Sequence, residues 1–159
     1  MNKASKLLDL PVIGADGKRL GRITDILFDA RTMRVAGYYV AAGTVLRIPR
    51  YLAAGSVQKI DGGGVRVADK TAFLPTRRAE QGENYKTFHR DAAGAAMIQN
   101  GGKIGRISDM LFRTERGEIT RFEVSNGFAE DILRGRKNIH ANKDAVFGNN
   151  NVEITDKGV

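Results

Sequence analysis

Two aspartates are the first candidates for chemistry, because each sits in a stretch that occurs twice. Leu20-Gly21-Arg22-Ile23-Thr24-Asp25-Ile26-Leu27-Phe28 returns as Ile104-Gly105-Arg106-Ile107-Ser108-Asp109-Met110-Leu111-Phe112. Six of the nine positions are identical, 84 residues apart counted from Gly21 to Gly105. Asp25 and Asp109 could form a paired acidic site. The simpler reading is that each, in mid-strand beside a bulge, bonds a backbone N–H and fixes register. His89 and His140 are not equivalent in the repeat, and neither has a second ligand at a known metal spacing. Gly17-Lys18-Arg19-Leu20-Gly21 lacks the Gly-Lys-Ser/Thr ending of a phosphate loop and leads into a strand, so it reads as a turn. The chain has no cysteine, hence no thiolate nucleophile or disulfide framework. It has no Gly-x-Ser-x-Gly element either. These residues point away from an enzyme, and they assign no catalytic residue, metal or cofactor.

Charge is the other chemical resource. The 159 residues carry a formal net charge of +8. Residues 1–75 hold 12 Lys+Arg against 6 Asp+Glu, and residues 76–159 hold 14 against 12. Arg134, Arg136, Lys137 and Lys143 fall in one stretch without an acid. Arg47 and Arg50 lie in the corresponding part of the first repeat, and Arg77 and Arg78 lie between the repeats. These eight are the candidate contacts for a partner. If about six met phosphates, affinity would fall on the order of 10³-fold between 50 and 200 mM salt. Aromatic residues are not interleaved with these charges, which argues against base stacking. A protein partner is therefore preferred, RNA or the ribosome is the alternative, and an anionic membrane surface ranks last. A homo-oligomer stays open. No apolar signal segment follows Met1 to Lys6, and no run reaches the roughly 20 apolar residues of a membrane span. The expected compartment is the cytoplasm.

The elements that must position these residues are short strands. Pro11 to Ile13, Arg19 to Phe28 and Val35 to Val40 read as strands, with Asp16-Gly17 marking the first hairpin. Thr44 to Pro49 reads as the next strand, and Arg50 to Ala54 as a helical turn. Val57 to Ile60 and Val65 to Ala68 follow, joined by Asp61-Gly62-Gly63-Gly64. In the second repeat, Ala95 to Ile98, Lys103 to Phe112 and Ile119 to Val124 are the matching strands. Phe128 to Ile139 corresponds loosely to Thr44 to Leu52. Val152 to Lys157 matches Val65 to Lys70 at an offset of 87, so the second copy has gained about three residues. Alternation in Arg19 to Phe28 breaks near Thr24-Asp25, where a bulge is expected. Comparing the copies assigns faces: Tyr38/Phe122 and Val40/Val124 to the core, Tyr39/Glu123 and Gly37/Arg121 to water.

This pattern resembles the PRC-barrel domain family. The resemblance rests on Asp16-Gly17, on Gly21, Asp25 and Phe28 within the first signature strand, and on Pro49. In the second copy it rests on Gly101-Gly102 and on Gly105, Asp109 and Phe112. The implied fold is all-β, with two small PRC-type β-barrels in tandem: residues 1–75, a linker at 76–84 and residues 85–159. The family implies a binding or assembly module without catalysis of its own. Each copy is expected to close around its own apolar interior. Units this small supply a net of only about 3–5 kcal/mol, so the two should also pack on each other or on a second chain.

Overall fold

The computed structural model describes residues 1–142 and 144–155. The chain runs β1 (Asn2–Lys3), α1 (Ala4–Leu7), β2 (Pro11–Ile13), β3 (Arg19–Asp29), β4 (Arg34–Ala42), β5 (Ile48–Ala53), β6 (Lys59–Asp61) and β7 (Gly64–Arg66). It continues with β8 (Tyr85–Thr87), β9 (Ala96–Gln99), β10 (Gly102–Phe112), β11 (Ile119–Ser125), α2 (Phe128–Arg134), β12 (Lys137–His140), β13 (Val146–Phe147) and β14 (Asn151–Ile154). A one-turn helix at Phe88–Ala92 follows β8. No helix among the described residues is long and apolar enough to cross a membrane.

The strands form two sheets of the same plan. One has the order β5-β4-β3-β2-β7-β6, the other β12-β11-β10-β9-β14-β13. In each sheet the 11-residue signature strand, β3 or β10, is the longest element. It is too long for its first hairpin partner. β2 covers β3 only from Arg19 to Arg22, and β9 covers β10 only from Gly102 to Arg106. The remaining edge would leave unpaired N–H and C=O groups.

Each repeat fills that edge in the other sheet. β8 pairs with Leu27, Phe28 and Asp29 of β3. β1 pairs with Leu111 and Phe112 of β10. Lys86 lies opposite Phe28 and Asn2 opposite Phe112, so the exchange is reciprocal and in the same register. The turns before β4 and β11 also meet. Val35 N–H donates to Gly117 O at 2.8 Å, and Ile119 N–H donates to Met33 O at 2.9 Å. Met33 and Gly117, 84 residues apart, both adopt positive φ there, 52° and 65°.

The interior follows from this exchange. Phe28 and Phe112 are both fully buried, but in one continuous apolar cluster that draws on both repeats. Phe147 of the second sheet packs edge-on against Phe28 at 5.6 Å and against Phe122 at 6.3 Å. The expectation of two separate interiors is corrected here. The expectation of closed barrels is corrected as well. The end strands β5 and β6 do not pair, nor do β12 and β13. Each open sheet has its apolar face covered by the other repeat, so strand-to-strand closure is not needed.

Three local differences have physical causes. The strand expected at Thr44 to Pro49 starts only at Ile48, and Arg50 to Ala53 is strand where a helical turn was expected. Val45 and Leu46 have strand-forming side chains, but they occupy the open β4–β5 loop, 90% and 77% exposed. In the second repeat the corresponding connection is α2, which takes up the added residues. The outer face of β4 and β11 is covered, contrary to the assignment of Gly37 and Glu123 to water. Tyr51 lies across Gly37, where a Cβ would overlap its ring, and donates its hydroxyl to Ala36 O at 3.0 Å. Burial, then the charge of Glu80, pushes the Tyr51 hydroxyl pKa up to about 12. The segment between the repeats contributes to this cover. Leu74 exchanges two backbone bonds of 2.8 Å with Tyr51, and Ala79 is buried with Leu27 and Tyr51.

Candidate interaction surfaces

Asp25 and Asp109 sit where each signature strand changes partners. The register of β3 on β4 slips between Ile23 and Asp25, and that of β10 on β11 between Ile107 and Asp109. The bulge turns each carboxylate toward the edge shared with the other repeat. Asp25 Oδ1 accepts from Ile26 N–H and from His89 N–H, both at 2.8 Å. Asp109 Oδ1 accepts from Met110 N–H at 2.9 Å and from Ser5 N–H at 3.0 Å. Asp109 Oδ2 takes the Ser5 hydroxyl. Each aspartate therefore caps the first turn after the incoming strand of the other repeat, which has no cap of its own. The two carboxylates do not share a site.

His89 and His140 are exposed and apart from each other in the fold, on the turn after β8 and on β12. Among the described residues no group of three His, Asp or Glu side chains is placed to hold a metal ion. Gly17 sits at φ 82° in the β2–β3 turn, where Asp16 accepts from Lys18 N–H at 3.0 Å.

The basic candidates divide. Arg134 pairs with Glu130 at 3.3 Å, and Arg136 pairs with Glu123 at 3.0 Å and Asp131 at 3.4 Å. The acids that neutralise this stretch come from β11 and from α2, outside the window that looked purely basic. Lys137 is exposed on β12, and Lys143 lies outside the described residues. Arg77 and Arg78 are exposed on a single turn at Thr76–Arg78. Arg50 lies on β5 and bonds Pro49 O at 3.3 Å. It borders a cleft with Asp25 and Arg90. Arg47 is gathered with Arg19 and Arg22 around a cavity of about 160 Å³ at the far end of β3. Sequence reasoning missed Arg19 and Arg22. The signal was in the repeat, which keeps a base on both sides of the glycine: Arg19 and Arg22 beside Gly21, Lys103 and Arg106 beside Gly105.

Glu123 is the centre of a small ionic cluster. It is 8% exposed and accepts from Lys3 Nζ at 2.9 Å and Arg136 Nη1 at 3.0 Å. Burial alone would raise its pKa. The bonds from Lys3 and Arg136 outweigh that and hold the carboxyl below its ordinary value. A depressed carboxylate stabilises the fold above its unfolded pKa, and the contribution is lost as pH falls through the folded value. Lys3 and Arg136 are 43% and 49% exposed at the side chain, so solvent screens the pairs. Glu123→Gln is expected to lower stability by about 1–2 kcal/mol at neutral pH. Urea melts of both proteins should converge as the pH drops below about 4. A gap that persists in acid would assign the effect to shape.

A family model described as PRC-barrel domain matches residues 1–85 of the chain. A search of the curated proteins finds no match.

Proposed function

The chain belongs to the PRC-barrel family, and from that premise we propose that it is a non-catalytic adaptor for protein–protein assembly. Domains of this family serve as interaction modules and are generally without catalysis. The reading takes the chain as two PRC-type units in tandem, residues 1–75 and 85–159, joined by residues 76–84 and working in the cytoplasm. The observation that carries it is the reciprocal exchange of β1 and β8. Each unit is completed by the other, which holds two equivalent surfaces in a fixed relation. Such a body suits holding partners in place better than enclosing a substrate. The basic residues would then steer an acidic partner and set its orientation.

The alternative, an RNA- or ribosome-associated factor, draws on the same arginines. The ion pairs of Arg134 and Arg136 weaken it, because those charges are already answered by Glu130, Asp131 and Glu123. The test is affinity purification from the native host under cross-linking, with mass spectrometry and the 260/280 nm absorbance ratio of the eluate. A specific protein recovered without nucleic acid supports the adaptor. Nucleic acid that is retained at low salt and released by high salt, with no protein partner, overturns it in favour of the alternative.

A further inference from the structure

The loop after β4 and the segment after β11 are equivalent, although one is open chain and the other helical. Arg50 lies opposite Val40 and Lys137 opposite Val124, which sets an offset of 87 between the copies here. At that offset Val45-Leu46-Arg47 superposes on Ile132-Leu133-Arg134. Both versions present two aliphatic side chains to water. Val45 and Leu46 are 90% and 77% exposed, Ile132 and Leu133 67% and 80%. Single exposed aliphatics need no explanation, but an adjacent pair repeated at one register in two different conformations does.

A cavity with basic lining residues lies at the root of each segment, bordered by Gly43 and Thr44 in the first and by Asn126 and Gly127 in the second. The first is bordered by Arg19, Arg22 and Arg47 around Gly21. The second, about 460 Å³, is bordered by Lys103 and Arg106 around Gly105. Glycine is needed at both places because a Cβ would come within 2.5 Å of the Ala41 or Ser125 carbonyl oxygen. Arg106 Nη1 donates to Gly94 O at 2.9 Å, and Arg22 pairs with Asp9, which leaves Arg19, Arg47 and Lys103 without an acidic partner among the described residues. Arg22 Nε is buried without a hydrogen-bond partner.

The two tips point away from each other. β4 and β11 begin side by side, antiparallel at Arg34 and Glu118. They therefore run in opposite directions to the tips at their far ends. At about 3.3 Å per residue the tips are on the order of 40 Å apart.

We propose that each tip and its cavity form one docking site for an acidic peptide segment with an aliphatic anchor, so that one chain binds two copies of the same segment. The proposal rests on the adaptor reading and adds the partner's chemistry and number. Carboxylates of the segment meet the bases of the cavity, and its aliphatic side chain packs on Val45-Leu46 or Ile132-Leu133. A bilayer could meet only one of two opposed tips, and neither tip carries the Trp or Tyr of an interfacial anchor. Base stacking uses aromatic side chains, and neither Val45-Leu46-Arg47 nor Ile132-Leu133-Arg134 holds one.

The test is calorimetric titration of the full chain with a synthetic peptide alternating Glu and Leu. The same titration with a Gln and Leu peptide is the control. Two equivalents of the acidic peptide should bind, more weakly as salt rises, and the control should not bind. Val45→Ser, Leu46→Ser and Arg47→Glu together should leave one equivalent. Adding Ile132→Ser, Leu133→Ser and Lys103→Glu should leave none. All six residues are exposed, and an unchanged circular dichroism melt confirms that the variant folds. No binding, a single equivalent, or undiminished binding by the sixfold variant overturns the proposal. So does a preference for phosphatidylglycerol vesicles or polyuridylate over the peptide. The two readings fail separately. If the sixfold variant still captures the host partner, only the docking site falls. If the unaltered chain captures no protein at all, the adaptor falls first.

Discussion

Replacing Asp109 by alanine should destabilise the protein by about 2–4 kcal/mol, and Asp25→Ala by about 1–2 kcal/mol. Asp109 is 4% exposed, and its loss leaves the N–H of Met110 without an acceptor in the interior and that of Ser5 without one at the interior's edge. Asp25 makes the same two backbone bonds, to His89 and Ile26, but is only half-buried, so water replaces part of what is removed. Asparagine at either position keeps an acceptor oxygen and should recover about half of the loss. Urea melts give the sizes. Amide exchange gives the mechanism, because the cap acts across the repeats. Asp109→Ala should release protection at Ser5 and Lys6, and Asp25→Ala at His89 and Arg90. Protection lost only within the mutated strand's own repeat would sink this account of the repeated aspartates.

That cross-repeat role was half legible in the residues. The repeat located β3 and β10, the broken alternation located the bulge, and the type of residue said that Asp25 and Asp109 hold a backbone N–H. Whose N–H it is could not be read. Hydrophobic period reports which face of a strand is buried, and is silent on which copy of a repeated edge an incoming strand will choose. The same blindness produced the two separate interiors. Phe28 is apolar and buried in either arrangement, and its place in one cluster with Phe112, with Phe147 against its ring, shows that the interior is shared. Val45 and Leu46 misled in the other direction. Their strand propensity suggested a strand, yet the chain leaves them at an open tip, because propensity without a neighbour to pair and pack on does not make one. Glu123 looked like an outward polar residue because Lys3 and Arg136 are far from it in sequence.

Residues 1–84 expressed alone should be folded only as a dimer, and a monomer of this fragment should be unfolded. The fragment keeps β3 but loses β8, which pairs with Leu27, Phe28 and Asp29, and the turn at Phe88–Ala92, whose Phe88 and Ala92 share the core cluster with Phe28. It retains β1 and α1, whose natural seat on β10 is gone. A second copy can supply what is missing. Asn2, Lys3 and Ser5 correspond to Lys86, Thr87 and His89 at the repeat offset of 84, so β1 of one copy can lie on β3 of the other with Ser5 N–H on Asp25. The contact is the same in both directions, as closed two-fold symmetry requires. The fit is poorer than in the intact chain. Ala4 stands where Phe88 stands, and both are buried, so each interface lacks a phenyl ring. Losing a buried phenyl costs about 3–5 kcal/mol. Folding is thus tied to association, and the urea midpoint should rise with protein concentration. Sedimentation velocity across a dilution series, alongside those melts, checks this. Residues 85–159 added in trans should displace the homodimer, because they restore Phe88 and Phe147 to the core. Asp25→Ala in the fragment should drive it to unfolded monomer. A fragment that is monomeric, folded and indifferent to concentration would mean that each unit closes on itself, and the reciprocal exchange would then have no energetic role.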